Sequence, residues 1–251
     1  MNLTRAHEGP LPDMSCGRRQ SRASVRICRE CTVQTRAFCA VLDDAALAQM
    51  ERLHTICCLA GEESLFMEDD AAIAFFTVLK GALRLSKLLP DGRRQITGFV
   101  LPGEFIGLAA GEVYAHNADA LMDTSLCRFS LTDLDRIGQE NPELNSRLLA
   151  MTNSNLSLAQ DHMLLLGRMN ALEKTANFLC SLRTRVAAAD QPIDPLVLPM
   201  CRADIADYLG LTIETVSRTL TRLKANNIIS LPEHNLVRIN DIAALTQLAE
   251  G

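Results

Sequence analysis

The stretch RADIADYLGLTIETVSR, residues 202–218, decides the fold of the C-terminal part of this chain. It predicts a helix over 202–209, ended by Gly210, and a second helix over 212–225. Two short helices joined through a glycine turn are typical of a helix-turn-helix. Further predicted elements of the same unit are a helix over 171–185 and a two-stranded wing formed by 228–231 and 236–239.

The second helix of this motif carries side chains suited to reading DNA. Glu214, Ser217 and Arg218 are spaced at i, i+3 and i+4, so they project from one face. Arginine pairs with guanine and glutamate accepts from the cytosine amine. The candidate DNA-binding residues are Thr212, Glu214, Ser217, Arg218 and Arg222. A surface salt bridge between Glu214 and Arg218 is the alternative interpretation.

The net charge limits how the chain can bind nucleic acid. The formal charge is -5, which excludes attraction by bulk charge. Arg218, Arg222 and Lys224 against Glu214 leave a local positive excess. Any DNA contact is therefore expected on this local basic surface.

Upstream of the motif, Asn141-Pro142-Glu143 predicts the start of a long helix that runs to about Arg168. Its length is about 40 Å at 1.5 Å per residue. One apolar stripe contains Leu149, Leu156, Ala159, Met163 and Leu166. A second contains Leu144, Leu148, Met151, Leu158, Leu165 and Met169. Two apolar faces favour two partners, the chain's own β domain and a second copy, with dimerisation through Leu156, Ala159, Met163 and Leu166. Burial of the whole helix within one subunit is the alternative.

Short apolar runs separated by turn signals fill residues 62–130 and predict an all-β roll or barrel. A helix is expected before them, over 43–59. The predicted fold class is therefore α+β, with an N-terminal β-roll, a long helix and a C-terminal winged helix-turn-helix. The predicted boundaries are a disordered tail (1–27), a cysteine-bearing arm (28–45), the β-roll (46–138), the dimerisation helix (139–169) and the DNA-binding unit (170–251).

The arm contains three cysteines that could act as sulfur ligands, in the motif Cys28-Arg29-Glu30-Cys31 followed by Cys39. Thiolates bind soft metals and iron-sulfur clusters, and a fourth cysteine would also complete a zinc site. Ordinary thiols, or a disulfide with one thiol left over, would account for the same spacing. The N-terminus lacks a secretory signal and the chain lacks a membrane-spanning run, so a reducing cytoplasm is expected.

The cysteine arm, the roll, the long helix and the Glu-Thr-Val-Ser-Arg motif together resemble the Crp/Fnr family over about residues 28–245. The cysteine spacing resembles the oxygen-responsive Fnr-like branch, often called FnrN or FnrL. That resemblance implies a 4Fe-4S cluster, a homodimer, RNA polymerase as a partner, and an activator of anaerobic or microaerobic genes. It also implies binding to double-stranded DNA palindromes similar to TTGAT-N4-ATCAA.

The resemblance further implies that three arm cysteines are completed by one from the roll, and Thr124-Ser125-Leu126-Cys127 matches that context. The expected ligands are thus Cys28, Cys31, Cys39 and Cys127, with the charge offset by Arg26, Arg29 and Arg36. Cys127 is expected at the rigid end of a strand. The competing cysteines are Cys16; Cys57 and Cys58, expected to pack near a helix end; and Cys180 and Cys201, expected in the core of the DNA-binding unit.

Two features depart from the family patterns. Fnr-like proteins often carry, at the position of Ala159, an acid whose charge opposes dimerisation. With only Asp161 nearby, this chain is expected to dimerise more readily and to switch more weakly. Residues 102–107 resemble the start of a cyclic-nucleotide phosphate cassette, but His116-Asn117-Ala118 replaces the arginine that grips the phosphate.

Other ligands and activities have weaker signals. Haem ligation by His54, His116 or His162 is an alternative that rests on isolated histidines. The sequence contains no recognisable catalytic set, so an enzyme is not expected. The turn at residues 90–94 is a candidate polymerase contact.

Overall fold

The computed structural model describes residue 28 and residues 30–108, 111–189 and 191–251. The predictions for the tail 1–27, including Cys16 and Arg26, and for Arg29 lie outside the described residues. The N-terminal unit begins with a short 3-10 helix (Phe38–Val41) and helix α1 (Asp44–Leu53). Its strands are β1 (Thr55–Leu59), β2 (Ser64–Phe66), β3 (Ala74–Lys80), β4 (Leu83–Leu88), β5 (Arg94–Val100), β6 (Phe105–Ile106), β7 (Asn117–Ala120) and β8 (Thr124–Ser130).

These strands form two antiparallel four-stranded sheets, in the orders β1-β8-β3-β6 and β2-β7-β4-β5. Apolar side chains from both sheets meet between them, among them Phe66, Phe76 and Leu126. Tyr114 stacks on Phe66 with ring centroids 3.7 Å apart, and its hydroxyl donates to the Ala74 carbonyl at 2.8 Å. The predicted β-roll is confirmed.

The helix predicted over residues 43–59 is wrong in its second half. Asp43 caps α1 by accepting from the Ala46 amide at 2.8 Å, as an N-cap does. The helix ends at Leu53, and residues 55–59 pair with β8 instead. Thr55 and Ile56 are β-branched residues that favour a strand, and the hydrogen bonds offered by β8 outweigh the apolar periodicity.

Helix α2 (Leu131–Glu140) follows β8 directly, and Ser130 caps it by accepting from the Asp133 amide at 3.0 Å. Helix α3 (Pro142–Arg168) confirms the predicted long helix, with Pro142 in its first turn. Leu144 and Leu165 are buried, whereas Leu149, Leu156 and Met163 are more than half exposed. Burial of the whole helix within one subunit is therefore wrong.

The C-terminal unit contains α4 (Ala171–Ala188), α5 (Arg202–Leu209), α6 (Ile213–Ala225) and α7 (Ile242–Glu250). Strands β10 (Ile229–Ser230) and β11 (Leu236–Ile239) form the predicted wing, and β9 (Leu196–Val197) adds a third strand. Gly210 ends α5 in the left-handed conformation, with φ of 61°. The predicted winged helix-turn-helix is confirmed.

The roll and the C-terminal unit share one apolar core. Ile96, Phe99 and Leu101 from the roll pack in the same cluster as Phe178 and Leu209 from α4 and α5. The position of α5 is therefore tied to the β4–β5 side of the roll. None of the helices in the described ranges combines the length and the apolar character that crossing a bilayer demands.

Candidate functional site

The four cysteines singled out by the sequence line one cavity of about 30 Å³. Cys28, Cys31 and Cys39 approach it from the arm. Cys127 approaches from the middle of β8, which pairs with β1 and β3 there, and not from a strand end as expected. The remaining wall is almost entirely apolar: Val33, Ala37, Phe38, Met50, Thr77, Leu79 and Phe129. All four are free thiols, so the disulfide considered above is not formed here.

Strand register separates Cys127 from the other roll cysteines. Cys127 lies opposite Ile56 on β1, whereas Cys57 lies opposite Leu126. Since neighbouring residues of a strand point to opposite faces, Cys57 packs between the two sheets and Cys127 faces the arm. Cys57 is a packing residue as predicted, but Cys58 is exposed, and both lie in a strand rather than near a helix end.

The two cysteines of the C-terminal unit lie away from the cavity. Cys180 is partly buried against the core, as predicted. Cys201 is exposed rather than part of the core, because it precedes α5 and its thiol hydrogen-bonds the Asp204 carboxylate at 3.1 Å.

The cavity disfavours free thiolates. Burial, followed by the charges of neighbouring groups, raises the pKa of Cys28 to about 11 and that of Cys39 to about 12. Burial and the other three cysteines raise the pKa of Cys127 in the same direction. At neutral pH these thiols stay protonated unless a cation offsets the charge of their thiolates.

The spacing of the thiols bears on which metal group fits. Among the described side chains, no three from His, Cys, Asp and Glu are close enough together to hold one metal ion. A tetrahedral zinc site needs all its sulfurs about 2.3 Å from one centre. Four cysteines are also the usual ligand set of an iron-sulfur cluster.

The arm is attached to both the roll and α3. Phe38 is 1% exposed and makes edge contacts with Phe75 and Phe129, with ring centroids 4.7 and 5.5 Å apart. Arg147 of α3 donates to the Arg36 carbonyl at 2.9 Å. The apolar cluster around Phe38 and Cys127 also includes Leu144, with Leu148 and Met151 packed against it. The cysteine cavity and the long helix thus border the same apolar cluster.

The predicted DNA-reading residues lie along the outer face of α6. Glu214, Ser217, Arg218 and Arg222 are exposed. Thr212 is the N-cap and accepts from the Thr215 amide at 3.2 Å. Arg218 donates to the Thr215 hydroxyl at 3.4 Å and makes no ion pair with Glu214 within the described structure. Hydrogen bonding at the helix N-terminus is the first cause of a lowered pKa for Glu214, so its carboxylate is ionised at neutral pH.

The predicted dimerisation stripe is largely free of intrachain partners. Leu149 is 62% exposed, Leu156 56% and Met163 64%, and Ala159 is also exposed. Leu166 differs, because it is partly buried against the core of the C-terminal unit and its side chain approaches Gly210. In the second stripe, Leu158 is 42% exposed rather than buried.

Two polar side chains of the roll that could have faced a cyclic nucleotide are paired within the protein. Asn117 lies in the stretch that corresponds to the Arg-Ser pair of cyclic-nucleotide sensors. It is buried, accepts from the Glu68 amide at 2.9 Å and donates to the Ser86 carbonyl at 3.4 Å. Glu104 of the cassette-like turn pairs with Arg185 of α4 at 2.6 Å. Both polar side chains therefore serve the protein's own packing.

The three histidines considered for haem are spread over the fold. His54 follows α1, His116 precedes β7, and His162 on α3 stacks on Tyr208 of α5 with ring centroids 4.1 Å apart. The structure does not bring them together into one pocket.

Sequence reasoning missed a group of charged residues that joins the roll to α5. Arg84 and Arg94, from β4 and β5, form ion pairs with Asp204 and Asp207 of α5. Each pair joins residues more than a hundred positions apart. Helical spacing placed Asp204 and Asp207 on one turn of α5, but nothing local indicated their partners.

Comparisons with known proteins agree with this architecture. Residues 58–141 match the cyclic nucleotide-binding domain family, and residues 173–248 match the Crp-like helix-turn-helix domain family. The solved structure of FixK2 from Bradyrhizobium japonicum superposes with a TM-score of 0.74 and 37% identity, covering 78% of this chain and 97% of that one.

Two curated relatives span most of the chain. The nitrogen fixation regulation protein FixK of Bradyrhizobium diazoefficiens is 43% identical over 222 residues, covering 88% of this chain and 93% of the relative. The transcriptional activator protein FnrL of Cereibacter sphaeroides is 34% identical over 226 residues, covering 88% and 91%. These relatives are regulators rather than enzymes, in agreement with the sequence-based expectation. This chain, with its Crp-like DNA-binding unit, belongs to the Crp/Fnr family of transcription regulators.

Proposed function

We propose that this chain is an oxygen-responsive transcription activator whose DNA binding depends on a 4Fe-4S cluster held by Cys28, Cys31, Cys39 and Cys127. The observation that carries this proposal is the meeting of four free cysteines, from two distant parts of the sequence, around one apolar cavity. The name of the FnrL relative, an activator, supports the same class of function.

The residues of the cavity supply what such a cluster needs. Four sulfurs complete the usual ligand set, and the apolar wall keeps water away from it. When bound, the cluster supplies an oxygen-sensitive link between the arm and β8. Four thiolates and a 2+ core leave a net charge of about -2, so a nearby cation lowers the cost of burial. Arg36, in the same arm, is the described candidate for that role.

The same packing connects the cavity to α3. Phe38 holds the arm on the roll, and Arg147 holds the Arg36 carbonyl from α3. Releasing the arm removes apolar contacts from Leu148 and Met151. A few kcal/mol is enough to move a marginal dimer equilibrium across its midpoint. We infer that arm position controls how readily α3 pairs with a second copy.

In the dimer, Leu149, Leu156, Ala159 and Met163 form the contact between the two long helices, with Leu166 at its end. Two α6 helices then lie about one DNA turn apart, as a TTGAT-N4-ATCAA palindrome requires. Ala159, in place of a repelling acid, favours the dimer even when the arm is released. RNA polymerase is the remaining partner, with residues 90–94 as the candidate contact, and the cytoplasm is the compartment.

The decisive experiment measures binding to a TTGAT-N4-ATCAA duplex before and after air exposure of protein purified without oxygen. We expect a brown protein containing about four irons per chain, and an affinity that falls at least about tenfold when air bleaches the colour. A colourless protein that carries stoichiometric zinc, or one whose affinity ignores air, overturns the proposal.

A second experiment tests the dimer contact. Leu156→Glu places a charge on each side of the two-fold contact, so we expect the anaerobic protein to sediment as a monomer. Leu164→Glu is the matched control, because Leu164 is 57% exposed on the same helix but lies outside the stripe. Dissociation of both variants, or of neither, would place the dimer contact elsewhere.

A further inference from the structure

The first helix of the helix-turn-helix is held by two strands of the roll. Arg94 on β5 donates to Asp207 from Nε at 2.9 Å and from Nη2 at 2.7 Å, and to Asp204 from Nη2 at 2.9 Å. Arg84 on β4 reaches Asp204 at 3.3 Å from the neighbouring strand. We call these four residues the roll clasp. One carboxylate of α5 thus pairs with two arginines at once.

Further contacts with residues of the roll hold the side chains of the roll clasp in place. Arg84 also pairs with Glu62 at 2.8 Å and with Asp119 at 3.3 Å. Gln95, next to Arg94, donates to the Asp207 carbonyl at 2.7 Å. The Asp204 side chain is 4% exposed and that of Arg84 is 12% exposed. Removing one partner would leave a buried charge without a counter-charge, which is strongly destabilising. The ion pairs are therefore expected to form or break together.

A second attachment lies on α4. Arg185 pairs with both oxygens of Glu104, at 2.9 and 2.6 Å, and donates to the Phe99 carbonyl at 2.5 Å. Two separate contacts, one on α4 and one on α5, prevent the C-terminal unit from rotating about either of them. The covalent joint between α3 and α4 is Met169 and Asn170, and rotation about their backbone bonds would change the direction of the C-terminal unit if these contacts were absent.

The roll clasp leaves the reading surface free. It engages α5, while Glu214, Ser217 and Arg218 on α6 stay exposed. Its effect is therefore on where α6 points relative to α3. In a two-fold dimer built on α3, that direction sets the separation of the two recognition helices, and hence the spacing of half-sites they can contact together.

We propose that Arg84, Arg94, Asp204 and Asp207 are positioning residues that determine the half-site spacing accepted by this regulator. The inference rests on the proposed dimeric DNA binding. With the roll clasp closed, one spacing fits both recognition helices. With it open, the shared apolar core still holds α5 near the roll but no longer fixes its direction, and several spacings are accepted.

The test compares affinities for TTGAT-N3-ATCAA, TTGAT-N4-ATCAA and TTGAT-N5-ATCAA duplexes without oxygen. For the unmodified protein we expect clear preference for one spacer. For Arg94→Ala, we expect that preference to shrink by at least about fivefold, because the separation of the two α6 helices is no longer fixed. The matched control is Arg136→Ala, since Arg136 pairs only with Asp133 of its own helix, at 2.9 Å, among the described contacts.

A charge exchange separates positioning from general stability. Arg94→Asp combined with Asp207→Arg restores an opposite-charge pair, so the double variant should regain part of the spacing preference that each single variant loses. An unchanged preference in Arg94→Ala overturns this inference while the proposed function stands. If the unmodified protein prefers none of the palindromes over unrelated DNA, the proposed function fails, and the inference fails with it.

Discussion

The cysteine cavity differs from the recognition face of α6, the outer face that carries the candidate DNA-binding residues, in polarity, in exposure and in the number of elements that form it. The cavity is apolar and is assembled from residues on the arm and on β8. The recognition face is exposed, charged and carried by a single helix. A site made by long-range packing fails as a whole when one member is removed, whereas each side chain of a local face contributes its own share.

The largest expected effect is the loss of one cavity cysteine. Cys127→Ala removes one of the four proposed cluster ligands, so we expect loss of bound iron and a fall in anaerobic DNA affinity of about 2 kcal/mol. Iron content and duplex binding without oxygen measure both effects.

Cys57→Ala is the matched control for this prediction. Cys57 is also a buried cysteine, on the neighbouring strand, but it faces the interior between the sheets. We expect it to keep its iron and its response to air. Equal iron loss in both variants would contradict the assignment of Cys127, because Cys57 does not line the cavity.

An intermediate effect is expected at the recognition face. Arg218→Ala removes a candidate bidentate contact to guanine, which is worth about 1–3 kcal/mol and should relax preference at a single base pair. Affinities for duplexes substituted one pair at a time measure this. Arg222→Ala is the comparison, because a contact to phosphate weakens binding to all sequences alike. Loss of all DNA binding by Arg218→Ala would contradict the view that each side chain of the recognition face contributes separately.

The smallest expected effect is at Glu214. Glu214→Gln keeps the shape of the side chain and removes its charge, so we expect about a threefold loss of affinity, confined to one base pair. Because the pKa of Glu214 is lowered, the carboxylate stays ionised as pH falls through the usual range for Glu, and its contribution is lost only below it. Glu214 should therefore add no pH dependence to binding between about pH 6 and pH 8. A Glu214-dependent slope in that window would contradict this assignment.

Periodicity predicted the long elements and failed on the short ones. Helix α3 carries apolar residues at helical spacing over its whole length, and Gly210 marks the end of α5, so local signals were sufficient. Strands β2, β6 and β7 have two to four residues each and too little pattern to recognise. At Thr55 the pairing with β8 overrode a helical pattern, and no local signal reports such a partner.

The sites also differ in whether local sequence or distant contacts define them. The spacing of Cys28, Cys31 and Cys39 indicated a sulfur site, but the fourth ligand came from family resemblance, because β8 is far away in the sequence. The roll clasp was not predicted, since Arg84 and Arg94 meet Asp204 only after the roll and α5 have packed together. Opposite charges on distant surface elements are too common in any sequence to identify such pairs.

The position of β8 inside its sheet has a consequence for biosynthesis. A ribosome releases the three arm cysteines well before Cys127, which belongs to the final strand of the roll. That strand inserts between β1 and β3, so its thiol meets the other three only once the sheet has closed. If the chain holds the cluster proposed above, iron delivered to a nascent chain would find an incomplete set of sulfurs, so cluster assembly would follow folding rather than guide it.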